Sequence, residues 1–433
     1  MDTQKIEKVS HSKALIAAIA AVSCLVIYIL ACVMSPVTWS PDSSKIALLV
    51  TPPGDNPDVF AIFTYDIATG KHLLLDKAQK DGVLSVPSWS PDGKWVAYCK
   101  IEPTKEESES SPQVNKKTAD ELFSEEDKTL IPFLWEIVKE KMSEEDVETF
   151  DVKLIVVRPN GQDKKVLRTM KWAGDEDSRV RIILAQPQWS PDSSHIFYAR
   201  SFDDGEVYYI AGLNLSTDKA EALMFSSIGT PAVSPDGKWV ASLLSPNGSD
   251  EALLAVAQVD GGEYKYYRLD LKIDKEQMFF ITLMWSPDSK RILIAPNEQL
   301  CVVNAMTGQV RKYRDPDPEH IAYGIFSPQG DKLYYLAGYE KEDPNSDKEK
   351  INLISMNLED SKTQVVFEVS KVPDIEGPGR FSISPNGKMV LLRCVMKDKA
   401  GGEKSVLLFW DGKKHKIVET GPWLAEIFPE AGN

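Results

Sequence analysis

Trp39-Ser40-Pro41-Asp42-Ser43 is the first of seven copies of one short unit. Ser-Pro-Asp returns at Ser90-Pro91-Asp92, Ser190-Pro191-Asp192, Ser234-Pro235-Asp236 and Ser286-Pro287-Asp288, and altered copies follow at Ser327-Pro328-Gln329 and Ser384-Pro385-Asn386. The register around them holds without a gap. A large apolar residue precedes each Ser: Trp39, Trp89, Trp189, Val233, Trp285, Phe326 or Ile383. Three residues after it stands Ser43, Gly93, Ser193, Gly237, Ser289, Gly330 or Gly387. Six residues after it stands Ile46, Val96, Ile196, Val240, Ile292, Leu333 or Val390. Repetition of this kind decides a fold before any single element does.

Each unit reads as a tight turn between two strands. The Ser hydroxyl can bond a backbone N–H two residues on, Pro fixes φ at the second position, Asp or Asn suits the third, and Gly tolerates φ > 0 at the fourth. The apolar residue before the turn ends one strand, and runs such as K-I-A-L-L-V, W-V-A-Y-C and R-I-L-I-A begin the next. A second hairpin follows in every unit, signalled by Thr69-Gly70, Asn160-Gly161, Ser216-Thr217-Asp218, Asp260-Gly261-Gly262, Thr307-Gly308, Asp360-Ser361 and Asp411-Gly412. Four-stranded antiparallel units recurring every 41 to 57 residues, with one exception, are propeller blades. A helical solenoid would need a 3.6-residue apolar period, which these strands lack. The expected fold is all-β: a seven-bladed β-propeller over about 37–420, with one helical insertion and an N-terminal transmembrane helix. The repeat aromatics are expected to fill the spaces between blades.

The W-S-P-D-[GS] unit resembles the repeat of TolB-like propellers, Asp-rich relatives of the WD repeat, over nearly all of residues 37–420. The resemblance implies a propeller and no particular function, because one fold hosts many activities. The family's namesake resembles a six-bladed propeller behind a separate α/β domain. This chain counts seven units, with about 36 residues before the first.

Those first residues read as a membrane segment. No residue from Ala14 to Pro41 is charged, and Ala14 to Val33 is almost wholly apolar, enough to span a bilayer as a helix. Lys5, Lys8 and Lys13 precede it and Asp42 follows, so 1–13 is expected to be a cytoplasmic tail and the remainder exported. An uncleaved signal anchor at 14–33 fits the length. A lipoprotein is an alternative, since Ile29-Leu30-Ala31-Cys32 resembles a lipobox that departs at Leu30, with Cys32 as the lipidation candidate. A cleaved signal peptide is the third. All three put the propeller in the periplasm or outside the cell.

Composition narrows the partners. With 42% hydrophobic and 27% charged residues the chain is globular, and a net charge of −15 argues against nucleic acid and against anionic headgroups. Cys24 and Cys32 lie in the apolar run, while Cys99, Cys301 and Cys394 are scattered singly with no CxxC, as buried free thiols would be.

The spacing from Ser90 to Ser190 is twice the usual, and its excess lies at about 102–150, between strands expected at Trp95–Ile101 and Val152–Val157. Glu102–Lys117 has the composition of a mobile link. Thr118 with Glu121, Ser124 with Asp127 and Ser143 with Asp146 look like capping boxes. From Leu130 onward Phe133, Leu134, Ile137, Val138 and Met142 follow helical spacing. Fifteen acids against six lysines in 102–150 leave a local charge of −9. The apolar stripe can pack down on the propeller, or Leu130, Phe133, Leu134, Ile137 and Val138 can dock a partner.

The sequence assigns no catalytic, cofactor-binding or metal-binding residue and no cofactor. Five histidines (His11, His72, His195, His320 and His415) fall without ligand spacing, and HExxH, GxSxG, Walker A and GxGxxG motifs are missing. Acidic clusters at Asp175-Glu176-Asp177, Asp203-Asp204-Gly205-Glu206 and Asp315–Glu319 do not match an EF-hand loop and read as solvated loops. The expected function is a non-enzymatic scaffold with protein partners in an envelope or membrane-associated assembly. Alternatives are a small-ligand binder using the central funnel, or an enzyme whose site is built from several blades. Residues 421–433 read as a C-terminal tail. Ring closure stays open, because the first and last units both look complete.

Overall fold

The computed structural model describes residues 37–50, 60–78, 82–103, 148–174, 186–202, 207–226, 231–244, 251–260, 263–272, 281, 283–295, 299–313, 320–339, 350–397 and 402–425. The segment 14–33, Cys32, and the stripe of Leu130, Phe133, Leu134, Ile137 and Val138 lie outside them. Among the described residues, no helix is long and apolar enough to cross a membrane.

Seven antiparallel sheets follow one another along the chain, each a meander of sequential strands, forming a seven-bladed β-propeller. Blade 1 is Thr38–Trp39, Lys45–Val50, Ala61–Asp66 and His72–Lys77. Blade 7 is Ile375–Ile383, Val390–Lys397, Glu403–Trp410 and His415–Glu419. Blade 2 departs from four strands: a short extra strand, Val83–Leu84, pairs with the far end of Val96–Pro103. First strands of successive blades touch, so they line the middle of the ring. The aliphatic residue six places after each turn Ser opens the second strand and is buried in all seven blades, fully so in six.

The repeat residues hold each turn in one geometry. The buried Ser hydroxyl donates to the Asp carboxylate two residues on, at 2.6 Å in blades 1, 2 and 4, and accepts the backbone N–H five residues on, at 2.9–3.1 Å in all seven blades. The Ser therefore bonds further along the chain than expected, and it is the Asp that receives the N–H two residues past itself, as from Ser44 at 3.0 Å and Lys94 at 3.0 Å. Where Gln329 replaces Asp in blade 6, Asp331 takes the Ser327 proton at 2.8 Å.

The fourth turn residue is left-handed in every blade, with φ from 58° at Ser289 to 74° at Gly330. Glycine adopts that region freely; a serine pays for it. Its compensation comes from the neighbouring blade. Ser193 Oγ accepts the Asp92 N–H (3.2 Å), Ser289 Oγ the Asp236 N–H (2.9 Å), and Ser43 Oγ the Asn386 N–H (3.2 Å). At the other four junctions a glycine lies against the preceding turn's proline: Gly93 on Pro41, Gly237 on Pro191, Gly330 on Pro287 and Gly387 on Pro328. Seven turns thus make one closed belt.

The repeat tryptophans stitch the blades one level in. Trp89 donates its indole N–H to Thr38 O (3.2 Å), Trp189 to Ser88 O (3.3 Å) and Trp285 to Ala232 O (2.7 Å), in each case on the innermost strand of the preceding blade. Trp39 does the same across the join between blades 7 and 1, to Ser382 Oγ at 2.9 Å. All four rings are buried, as expected of inter-blade aromatics.

That join answers how the ring closes. Among the described residues, no strand is exchanged between blades 1 and 7. Side chains close it instead: buried Arg393 donates to Leu49 O at 3.0 Å, and Lys416 Nζ lies 3.0 Å from the Tyr65 hydroxyl. After the last strand a helical turn, Gly421–Ala425, occupies the start of the stretch read as a tail. Its Trp423 is 5% exposed and stacks on His72 (4.7 Å) and Tyr65 (5.5 Å) of blade 1, while Tyr65 stacks on Phe409 of blade 7 at 5.8 Å.

In blade 2, Val96–Pro103 stays paired with Glu148–Val157 out to Pro103 and Phe150. The propeller's own hairpin therefore takes up both ends of the stretch 102–150.

Candidate functional site

Strands of a blade alternate in direction, so its connections segregate. First-to-second and third-to-fourth connections share one face, the turn face. Second-to-third connections and the links between blades share the other, the loop face. The insertion joins Pro103 to Glu148, and the acidic clusters follow Gly174, Phe202 and Tyr313, all strand ends on the loop face. Connections 104–147, 203–206, 314–319 and 340–349 together carry as much net charge as the whole chain, −15, which leaves the rest of the sequence neutral. The first strand of blade 1 runs from the loop face to the turn face, so Val37 lies at the loop face, near the middle of the ring.

Ser194, His195 and Asp192 form the arrangement closest to a hydrolytic triad among the described residues. Ser194 Oγ lies 2.7 Å from His195 Nδ1 and 2.7 Å from Asp192 Oδ1, and Asn214 Nδ2 lies 3.0 Å from His195 Nε2. The proton order follows from Asn214. Its Oδ1 accepts the Ser216 N–H (2.9 Å), the Ser216 hydroxyl (2.7 Å) and the Thr217 N–H (3.0 Å), which fixes its amide NH₂ toward the imidazole. His195 Nε2 must then accept and Nδ1 must carry the proton. Nδ1–H donates to Ser194 Oγ, and Ser194 donates to Asp192. A catalytic serine gives its proton to the imidazole; this one receives from it. The cluster is a turn lock, and the hydroxyls of Ser190 and Ser194 hold the Asp192 carboxyl down to about 2.

Asp76 is the most buried carboxylate with charged neighbours. It sits on the outer strand of blade 1 and accepts the Tyr98 hydroxyl of blade 2 at 2.7 Å, with Lys164 Nζ at 3.1 Å and Lys100 Nζ at 3.5 Å. Lys100 reaches Glu102 at 3.2 Å, and Glu102 also pairs with Lys153. Burial opposes the charge on Asp76, but the Tyr98 hydroxyl and the two ammonium groups outweigh it and hold the carboxyl below its ordinary value. Burial also pushes the Tyr98 phenol well up. Acids and lysines are mutually satisfied here, so the cluster clips blade 1 to blade 2 and leaves no unpaired carboxylate of its own to act as a base.

The remaining reactive groups are quiet. Cys99, Cys301 and Cys394 are buried free thiols, as the sequence suggests, pushed by burial up to about 12, 11 and 12. A thiolate nucleophile needs the opposite shift. Among the described residues, no three His, Cys, Asp or Glu side chains gather as metal ligands. The predicted docking residues Leu130, Phe133, Leu134, Ile137 and Val138 and the lipidation candidate Cys32 lie outside the described residues. Sequence reasoning missed the aromatic closure at Tyr65, Phe409 and Trp423. A tryptophan four residues past the last strand, Trp423, was its one visible sign.

No protein-family model matches the chain, and no curated protein does. Solved structures do. TolB from Acinetobacter baumannii is 14% identical at a TM-score of 0.40, over 87% of this chain and 80% of that one. A chain of the mitotic checkpoint complex is 12% identical at 0.50, over 87% and 86%. A structure from a study of two prolyl endopeptidases is 10% identical at 0.52, over 96% of this chain but 55% of that one. A checkpoint component and an endopeptidase sharing this fold leave the question of activity to the residues.

Proposed function

We propose that the protein is a non-enzymatic interaction scaffold, exported and held at a membrane through residues 14–33, that presents its loop face to a protein partner. The observation supporting this most is the segregation of long, acidic connections onto one face of a ring whose other face is a belt of fixed turns. A rigid ring with variable loops is a platform, and concentrated charge steers a partner of opposite sign. The stripe of Leu130, Phe133, Leu134, Ile137 and Val138 supplies the apolar anchor such an interface needs at its centre.

The test replaces 104–147 by a short Gly/Ser turn between Pro103 and Glu148 in the membrane-bound protein, followed by crosslinking. Loop closure depends weakly on length, so the melting midpoint should stay within about 3 °C of the parent while the main crosslinked partner is lost. A partner retained at full yield refutes the insertion as the docking element; unfolding makes its stripe part of the core. Export is checked by fusing a reporter active only outside the cytoplasm after Asn433, where an inactive but intact fusion overturns the topology. Replacing Cys32 by Ser separates the two tethers, because only a lipoprotein loses its anchor.

A ligand in the central funnel is the second reading, supported by Tyr323 and Arg380 on the innermost strands of blades 6 and 7. Tyr323 is left-handed (φ 47°) at a bulge, and the Arg380 guanidinium lies 4.9 Å from its ring. Strain of this kind costs about 1–3 kcal/mol and is retained where the surroundings require it. Thermal shifts with a panel of small carboxylates and phosphates, on wild type and Arg380→Met, test it; no shift with any of them rejects it.

A further inference from the structure

The join between blades 7 and 1 leaves a hollow of about 290 Å³ on the turn face. Its floor is Tyr65, Phe409, Trp410 and Met389, and Lys414, His415 and Lys416 stand at its rim. The floor is preorganised: Tyr65 and Phe409 are 3% and 6% exposed, and Tyr65 is clamped between Phe409 and Trp423. The residue five places after the turn Ser is Trp95 in blade 2 and Trp239 in blade 4, but Met389 in blade 7. A slim thioether stands where two other blades carry an indole.

The rim is as unusual as the floor. Lys413-Lys414-His415-Lys416 is four basic side chains in a row in a chain of net charge −15. Lys416 Nζ lies 3.0 Å from the Tyr65 hydroxyl and 5.7 Å from its ring centre, over the edge of the hollow. Among the described residues, no carboxylate forms an ion pair with Lys414 or Lys416. Asp411 also lines the hollow; its carboxylate accepts the backbone N–H groups of Lys414 (2.7 Å) and Lys413 (2.9 Å) and is held low by these bonds and in part by the Lys414 charge. An apolar pocket whose mouth carries two ammonium groups against one carboxylate is complementary to an apolar side chain flanked by carboxylates.

The geometry points to this notch as a docking site for an acidic segment of a protein partner that inserts one aromatic side chain, with its carboxylates on Lys414 and Lys416. It rests on the scaffold reading and extends it: the ring engages partners of opposite charge on its two faces. Both faces of Tyr65 are covered, so an entering ring meets the half-buried Trp410 and Met389, an indole and a thioether that favour an aromatic side chain.

The probe is a fluorescein-labelled Glu-Glu-Phe-Glu-Glu peptide, with Glu-Glu-Ala-Glu-Glu and Lys-Lys-Phe-Lys-Lys as comparisons, titrated by anisotropy into the full chain in detergent. The Phe peptide should bind at least about tenfold more tightly than the Ala peptide, and the Lys peptide should not compete for it. The double variant Lys414→Glu/Lys416→Glu, exposed and outside the core, should lose at least about tenfold. Met389→Trp, which fills the hollow, should lose binding with the rim charges intact. Equal binding of the Phe and Ala peptides, undiminished binding to the folded double variant, or no binding to wild type overturns the notch. Crosslinking of the double variant in membranes distinguishes the two proposals. Partners still captured on the loop face leave the scaffold standing without the notch, and no partner captured by wild type or variant refutes the scaffold itself.

Discussion

The turn face and the loop face are made by the same strands, yet the first-to-second turns of one repeat to within a hydrogen bond while the connections of the other vary from 203–206 to 104–147. On the turn face each fourth residue must both turn left-handed and meet the blade before it. Two residues satisfy that: glycine, which lies against a proline, and serine, which bonds a backbone N–H. Nothing of the kind constrains the loop face, where length and charge are free to change. Sequence identity in this fold is therefore a measure of contact between turns, and variation marks the surface available to partners.

Three changes test that contrast, the largest first. Trp423→Ala removes the ring that joins the end of blade 7 to Tyr65 and His72 of blade 1, and truncating a buried tryptophan costs about 3–5 kcal/mol. Chemical denaturation should show a loss of that order. A loss below about 1 kcal/mol would mean that closure rests on the other contacts across the join, Trp39, Arg393 and the Tyr65–Phe409 stack among them. Ser234→Ala strips a fully buried hydroxyl that serves the Asp236 carboxylate and the Trp239 N–H. Asp236 keeps the Lys238 N–H, but leaving the Trp239 N–H without its partner costs about 1–3 kcal/mol, far more than the loop replacement at 104–147, which should cost close to nothing. Equal costs at the two places would erase the distinction between the faces.

The smallest effect is acid sensitivity. The Asp192 carboxyl is held down to about 2, first by the Ser190 hydroxyl and then by Ser194, and Asp42 shifts the same way, first through Ser40. A depressed carboxyl stabilises the fold above its unfolded value of about 3.9, and that contribution disappears as pH falls toward the folded value. Stability should therefore decline below about pH 4. Asp192→Asn should flatten part of that decline in urea titrations from pH 5 to pH 2. An unchanged slope would show that these turns do not set the acid response.

The seven blades and their inter-blade tryptophans were legible because one constraint wrote itself seven times. The bonding of the turn serine was only half legible: its residue type shows that it bonds locally, but the partner five residues on depends on how the turn closes. Ring closure was not legible. It is made once, from Tyr65, Phe409, Arg393 and Trp423, with no repeat to expose it and with partners over three hundred positions apart, such as Arg393 and Leu49 at 344. The His195 cluster shows the converse, since Ser, His and Asp are plain in the sequence while the direction of their protons is set by Asn214 nineteen residues away.

Because every blade is one uninterrupted stretch of chain, the order of synthesis and the order of assembly coincide. A ring closed by a shared strand must keep its first segment unpaired until the last one arrives. Here each sheet can complete its ladder from neighbours already made, and a finished blade offers its flank to the next as it emerges. Pairing is local throughout, which favours rapid formation and leaves few exposed strand edges waiting. The one distant event is the meeting of two completed surfaces, blade 7 against blade 1, with Trp423 the last core side chain among the described residues to be made. A chain threaded through a membrane from its N-terminus could fold in the order in which it appears on the far side.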